Sequence, residues 1–263
     1  MNTQTNSARS AWTGMVSVDD TALAVTDTGG AGIPVVYLNG SYADQSHWKH
    51  VIAELGDGYR HITYDERARG KSGTSSDYTF EASVRSLDAV LAARGVERAI
   101  LVGWSYGAML AIHWAARNPE RTLGAVAVDG AMTHEWLDDA TKVQVRKLFR
   151  RLSPLFPICR RLGLAARMSA VQHAEINIEL NELCAPAALD PVFDRITTQT
   201  RYVLATGGNL GGDPKVMEQL RAGLGAVVAR NPNIKLSAKV PSNHSKILRK
   251  DFGAVANAVR ELS

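Results

Sequence analysis

Cysteine is scarce: Cys159 and Cys184 are the only two in 263 residues. They cannot form a disulfide framework and neither has a histidine at ligand spacing, so free thiols are the expected state and no metal site is expected. Long apolar runs are missing as well, which argues against a transmembrane span. Met1–Ser10 is polar and lacks the apolar segment of a secretory signal, so it reads as a loose tail on a cytoplasmic protein. Nor does either charge dominate. With 30 Lys and Arg against 26 Asp and Glu the formal charge is +4, which gives no ground for nucleic-acid binding. No internal repeat or low-complexity tract is apparent. What remains is an ordinary globular composition, 45% hydrophobic and 21% charged, at a length suited to one large α/β domain with an insertion.

Val16–Val18 and Ala22–Thr26, separated by Asp19-Asp20, read as an antiparallel hairpin. Apolar runs at Pro34–Leu38, His61–Tyr64, Ala99–Val102, Leu123–Val128, Arg201–Thr206 and Ile234–Val240 read as strands. Helices are expected over Phe80–Arg94, Ala108–Arg117, from Pro214 onward, and over Lys246–Leu262. Between the sixth and seventh strands the alternation stops. Residues 132–197 hold helical stretches broken at Pro154, Pro157, Pro186 and Pro191, and no convincing strand. Strands alternating with helices imply an α/β fold, a mostly parallel twisted sheet covered on both faces. Residues 1–131 and 198–263 form its expected core, and 132–197 a helical cap over the carboxyl ends of the strands, where ligands bind.

One stretch carries chemistry. Gly103-Trp104-Ser105-Tyr106-Gly107 lies between the strand Ala99–Val102 and the helix Ala108–Arg117. A serine on so sharp a turn needs small neighbours, because a Cβ at Gly103 or Gly107 would collide with the adjacent strand or the helix start. Ser105 is thereby presented outward, with the free N–H groups and positive end of the helix aimed at any oxyanion formed there. Its hydroxyl needs a base to become a nucleophile. His47, His50, His61, His113, His134 and His173 sit in or beside ordinary helices, strands and loops, whereas His244 lies in a loop at the carboxyl end of the last strand. Gly70-Lys71-Ser72 is similar to the end of a phosphate-binding loop. The glycine that such a loop requires at position 65 is Asp65, which excludes the nucleotide reading.

Together these features resemble the α/β-hydrolase superfamily over nearly the whole chain. Asn39-Gly40 stands where the family has His-Gly, and Asp65–Ser72 is similar to its D-x-R-G-x-G-x-S segment with Ala68 for the first glycine. Gly103–Gly107 matches the nucleophile elbow in full, and His244 takes the place of the late histidine. The resemblance implies a triad of Ser105, His244 and an acid, an oxyanion hole made by the backbone N–H groups of Ser41 and Tyr106, and no cofactor. In most of the family the acid follows the seventh strand, where this chain offers Thr206–Gly212 and then Asp213, itself placed to cap the helix at Pro214. Asp129, ending the sixth strand, matches the alternative position used by some members. Asp213, Asn209 as a neutral substitute, and the absence of any acid stay open.

The expected activity is hydrolysis of a small or medium acyl ester through an acyl-enzyme, in the manner of carboxylesterases and lipases. Serine at the elbow argues against dehalogenase and epoxide-hydrolase chemistry, which in the resembling families uses aspartate there. Carbon–carbon bond hydrolysis, lactone opening, a non-hydrolytic step, or ligand binding without turnover would use the same frame. The expected partner is a small molecule. Between Lys142 and Arg167, eight basic residues and no acidic one are interleaved with apolar side chains. A pair of cap helices with a solvated basic face accounts for that pattern, and contact with an anionic or lipid-like substrate or a membrane surface is the alternative.

Overall fold

The computed structural model describes residues 10–134, 138–161, 165–207 and 214–263. Its centre is a sheet of eight strands: β1 (Trp12–Val18), β2 (Thr21–Asp27), β3 (Ile33–Leu38), β4 (Tyr59–Tyr64), β5 (Ala99–Trp104), β6 (Thr122–Val128), β7 (Thr200–Ala205) and β8 (Ile234–Val240). They lie in the order β1-β2-β4-β3-β5-β6-β7-β8. The β1–β2 hairpin is antiparallel and β2 runs antiparallel to β4, while every pairing from β4 across to β8 is parallel.

Parallel strands need crossovers, and helices serve: α1 (Lys49–Leu55), α2 (Phe80–Arg94), α3 (Tyr106–Arg117) and α8 (Pro214–Arg230), while α9 (Ile247–Lys250) and α10 (Phe252–Arg260) follow the last strand. Burial on both faces explains why the central strands are apolar without alternation. Along β5, Leu101 packs with Leu87 and Ile112 on one face, while Ile100 and Val102 pack with Val51, Val255 and Val259 on the other. Local signals set the ends of α2: Thr79 accepts from the Ala82 N–H, and Gly95 closes the helix with φ 55°. The single closing helix expected over Lys246–Leu262 is instead broken at Asp251, where φ is −119° and ψ 30°. The Asp251 carboxylate accepts from the Ser242 N–H at 3.2 Å, and this bond back to the preceding loop replaces continued helix.

Between β6 and β7 lie α4 (Asp139–Leu152), α5 (Phe156–Arg161), α6 (Ala170–Leu183) and α7 (Pro186–Asp194), with no strand among the described residues. Leu189, Val192 and Phe193 of α7 join the main core. By contrast α4 buries no residue. Pairs Arg146–Glu175 and Lys142–Glu182 tie it to α6, and Phe149 stacks on His173 with centroids 6.0 Å apart. Both cysteines are free, and burial pushes the Cys184 thiol up to about 12, which keeps it unreactive. Among the described residues no helix is long and apolar enough to cross a membrane.

Candidate active site

The turn from β5 into α3 is as tight as its glycines require. A Cβ on Gly103 would lie 2.0 Å from the Gly107 carbonyl oxygen, and one on Gly107 would lie 2.0 Å from that of Leu38. Ser105 itself holds φ 57° and ψ −113°, a strained conformation for a residue with a side chain. Its N–H donates to the Val128 carbonyl and its own carbonyl accepts from Ala108, both at 3.0 Å, so the strain is held from two sides. Directly after it, Tyr106 begins α3, where a first-turn N–H has no partner within the helix.

Asp129 follows β6 with φ 44° and a fully buried side chain. Its carboxylate accepts from His244 Nδ1 at 2.9 Å and from the Ala205 N–H at 3.1 Å. Arg221 of α8 grips both oxygens, Nε and Nη2 each at 3.1 Å, and its Nη1 donates to the Gly207 carbonyl. Burial pushes the carboxyl pKa up, yet hydrogen bonds from His244 and Arg221 outweigh it and hold the group below its ordinary value. An ionised carboxylate only accepts, so Nδ1 carries the hydrogen and Nε2 is left as the free basic nitrogen of the ring. Trp104 braces the histidine from below: its Nε1 donates to the His244 carbonyl at 3.2 Å, and the two rings lie 5.4 Å apart.

Ser105, His244, Ser41 and Trp104 line one cavity of about 410 Å³, roofed by Asn177 and Leu180 of α6. A smaller chamber of about 110 Å³ also touches Ser105 and is walled by Met109, Met132, Leu180 and Cys184. The loop carrying Ser41 is fastened at both ends. Buried Asn39 donates to the Tyr64 carbonyl and accepts from Trp48 Nε1 at 2.7 Å, while Arg69 Nε donates to the Ser41 carbonyl at 2.8 Å. Ala68 holds φ 61°, a left-handed conformation that explains why glycine is usual at that place in the resembling segment. Among the described residues no group of histidine, cysteine, aspartate and glutamate is placed to hold a metal ion.

The structure thus brings His244 to Asp129 and sets Ser105 and Ser41 on the same cavity as the histidine. Asn209 and Asp213 lie outside the described residues. Of the other histidines, His47 also lines this cavity, stacked on Trp104, and His134 lines the small chamber. His61 meets the Tyr37 hydroxyl at 2.8 Å, His134 bonds Asn181, and His113 is buried against Phe80 with its pKa pushed down to about 4 by burial. Sequence reasoning missed Arg221, Arg69 and the bracing role of Trp104. Only Trp104 carried a local signal, its place inside the elbow; the two arginines act on residues far along the chain.

The family model described as alpha/beta hydrolase fold matches residues 33–156. A haloalkane dehalogenase of Mesorhizobium japonicum is 32% identical over 139 residues, 52% of this chain and 45% of that protein. The chain therefore spans less than half the length of that curated relative. Among solved structures, a thermophilic esterase of Thermogutta terrifontis superposes with a TM-score of 0.70 at 19% identity, covering 96% of this chain and 97% of that one. The enol-lactonase of Burkholderia xenovorans gives 0.71 at 16% identity, covering 95% and 99%. Fold and elbow define an α/β-hydrolase architecture. The match over residues 33–156 and these superpositions show the α/β-hydrolase fold.

Proposed function

We propose that this protein is a serine hydrolase of small or medium acyl esters, working through an acyl-enzyme, with Ser105 as nucleophile, His244 as base and Asp129 as the acid. The observation that carries the reading is a strained, outward-set serine sharing one cavity with a histidine whose Nδ1 is held by a buried carboxylate at 2.9 Å. His244 Nε2 takes the Ser105 proton as Oγ attacks the acyl carbon, and the Ser41 and Tyr106 amides receive the oxyanion. The tetrahedral species collapses as the leaving group takes that proton, and His244 then activates water to free the acid. Residues 132–197 act as the cap that shapes the acyl side. Dehalogenase chemistry, suggested by the curated relative, is disfavoured by serine at the elbow.

A fluorophosphonate probe tests the reading. Labelling at Ser105 is expected, and a protein that only binds ligands would stay unlabelled. A chain-length series of nitrophenyl esters run beside a cyclic ester then separates esterase from lactonase activity.

Arg221 gives a prediction of its own. Its positive charge competes with the imidazolium of His244 for one carboxylate, so Arg221→Gln frees Asp129 to stabilise that imidazolium. The protonated histidine cannot act as base. The acid limb of the pH–rate profile is therefore expected to move to higher pH in the variant. An acid limb that stays in place or moves to lower pH counts against the role.

A second reading concerns the outer face of α4 and α5. Leu148, Leu155 and Ile158 are 53%, 52% and 61% exposed beside Lys147, Arg150 and Arg151, a pairing of apolar and cationic groups suited to an anionic membrane surface. Binding to phosphatidylserine vesicles is expected to weaken as salt rises to about 0.5 M. Indifference to such vesicles at low salt would leave this face as a solvated one.

A further inference from the structure

Beside the cavity of Ser105 lies another of about 430 Å³, and the two share His47, Trp104 and Ser245. A row of rings joins them: Trp104 lies 5.4 Å from His244 on one side and is stacked at 5.8 Å on His47 on the other. Past these rings the walls carry Lys49, His50, Lys246 and Arg249, and no lining residue is acidic. Asp44, the neighbouring carboxylate, is taken up by Ser46 and His47.

Several exposed arginines elsewhere are paired, as in Arg85 with Asp19 and Asp77, Arg117 with Glu81, and Arg260 with Glu54. Among the described residues, the side chains of Lys49, Lys246 and Arg249 have neither an ion pair nor a hydrogen bond. They come from two separate segments, α1 and the loop and helix after β8, and folding gathers them around one groove. Like charges gathered without counter-charges produce a positive potential focused on that groove, which attracts an anion.

The chemistry indicates which half of a substrate reaches it. His244 returns its proton to the leaving atom, so that atom lies on the histidine side of Ser105. The cationic groove shares the histidine's neighbours Trp104 and Ser245, whereas the chamber of about 110 Å³ touches Ser105 and not His244. We infer that the substrate is an ester or thioester whose alcohol or thiol bears a phosphate or carboxylate, seated over Lys49, Lys246 and Arg249, with its acyl part in the small chamber. This rests on the proposed roles of Ser105 and His244. In the step itself the Ser105 Oγ–acyl bond forms, the acyl–oxygen or acyl–sulfur bond breaks, and the proton held by His244 leaves with the anionic alcohol or thiol. One water then hydrolyses the acyl-serine.

Three butyryl thioesters test it: those of N-acetylcysteamine, which is neutral, of 3-mercaptopropionate, which bears a carboxylate, and of coenzyme A, which bears phosphates. At low salt kcat/KM is expected to favour at least one anionic thioester over the neutral one by about tenfold or more, with the advantage shrinking as salt rises to about 0.5 M. Which anionic thioester gains identifies the group recognised. In Lys49→Gln/Lys246→Gln/Arg249→Gln the ratio is expected to fall toward one, and in Lys49→Arg/Lys246→Arg/Arg249→Lys to persist. Should no thioester turn over, protection decides: coenzyme A or 3-mercaptopropionate slows fluorophosphonate labelling of the parent and not of the neutralised variant. Equal rates on charged and neutral thioesters, a preference that survives neutralisation, or the absence of both turnover and protection would overturn the inference. Ser105→Ala turning over the same thioesters would instead overturn the reading of the site.

Discussion

Ser105→Ala is expected to lower kcat by about four to six orders of magnitude while the melting temperature stays within a few degrees of the parent. The loss is large because the nucleophile cannot be replaced by water placed with the same geometry, and the residual rate comes from oxyanion donors and binding alone. Stability holds because the elbow is fixed by main-chain bonds, Ser105 N–H to Val128 and Ser105 carbonyl to Ala108, which alanine keeps at the same φ. Fluorophosphonate labelling disappears with turnover. A variant that hydrolyses its best ester at near parental rate would remove the serine mechanism altogether.

Asp129→Asn is expected to reduce kcat by about four orders of magnitude with little change in KM, since the carboxylate orients His244 and stabilises its imidazolium in the transition state. Here stability changes too. Arg221, whose side chain is 9% exposed, loses its charged partner, and breaking one side of a buried pair costs about 3–5 kcal/mol. Asp129→Asn/Arg221→Met separates the two effects: it is expected to recover melting temperature without recovering turnover. Acid adds a further check. Asp129 is held below its ordinary pKa of 3.8, so its contribution to stability is complete above that value and is lost as pH falls through the folded-state pKa. Below about pH 4 the parent is therefore expected to lose its stability margin over the asparagine variant. Asp213→Asn serves as the control. If it serves only as the cap that the sequence suggests before Pro214, it is expected to keep most activity, because asparagine caps nearly as well. If that control is crippled while Asp129→Asn turns over normally, the acid follows the seventh strand.

The sequence by itself determined what depends on neighbours along the chain. Apolar runs of strand length between helical periods place the sheet and its order of elements, and the break in that alternation places the helices between β6 and β7. Two glycines at fixed spacing around Ser105 define the elbow, because the clash they avoid lies within the turn and the strand beside it. Asp129 and His244 were legible as candidates because each ends or follows a strand, and parallel strands deliver their carboxyl ends to one edge. Tertiary structure alone decided how those candidates are held. Arg221 reaches Asp129 across 92 positions, and Arg69 reaches Ser41 across 28. Asn39, read as a substitute for histidine, proves to be a buried fastener between Tyr64 and Trp48. Lys49 and Arg249 share one groove although they lie at opposite ends of the chain. None of these pairings has a period or a motif, because side chains on different elements meet only where the packing of helices on the sheet brings them together.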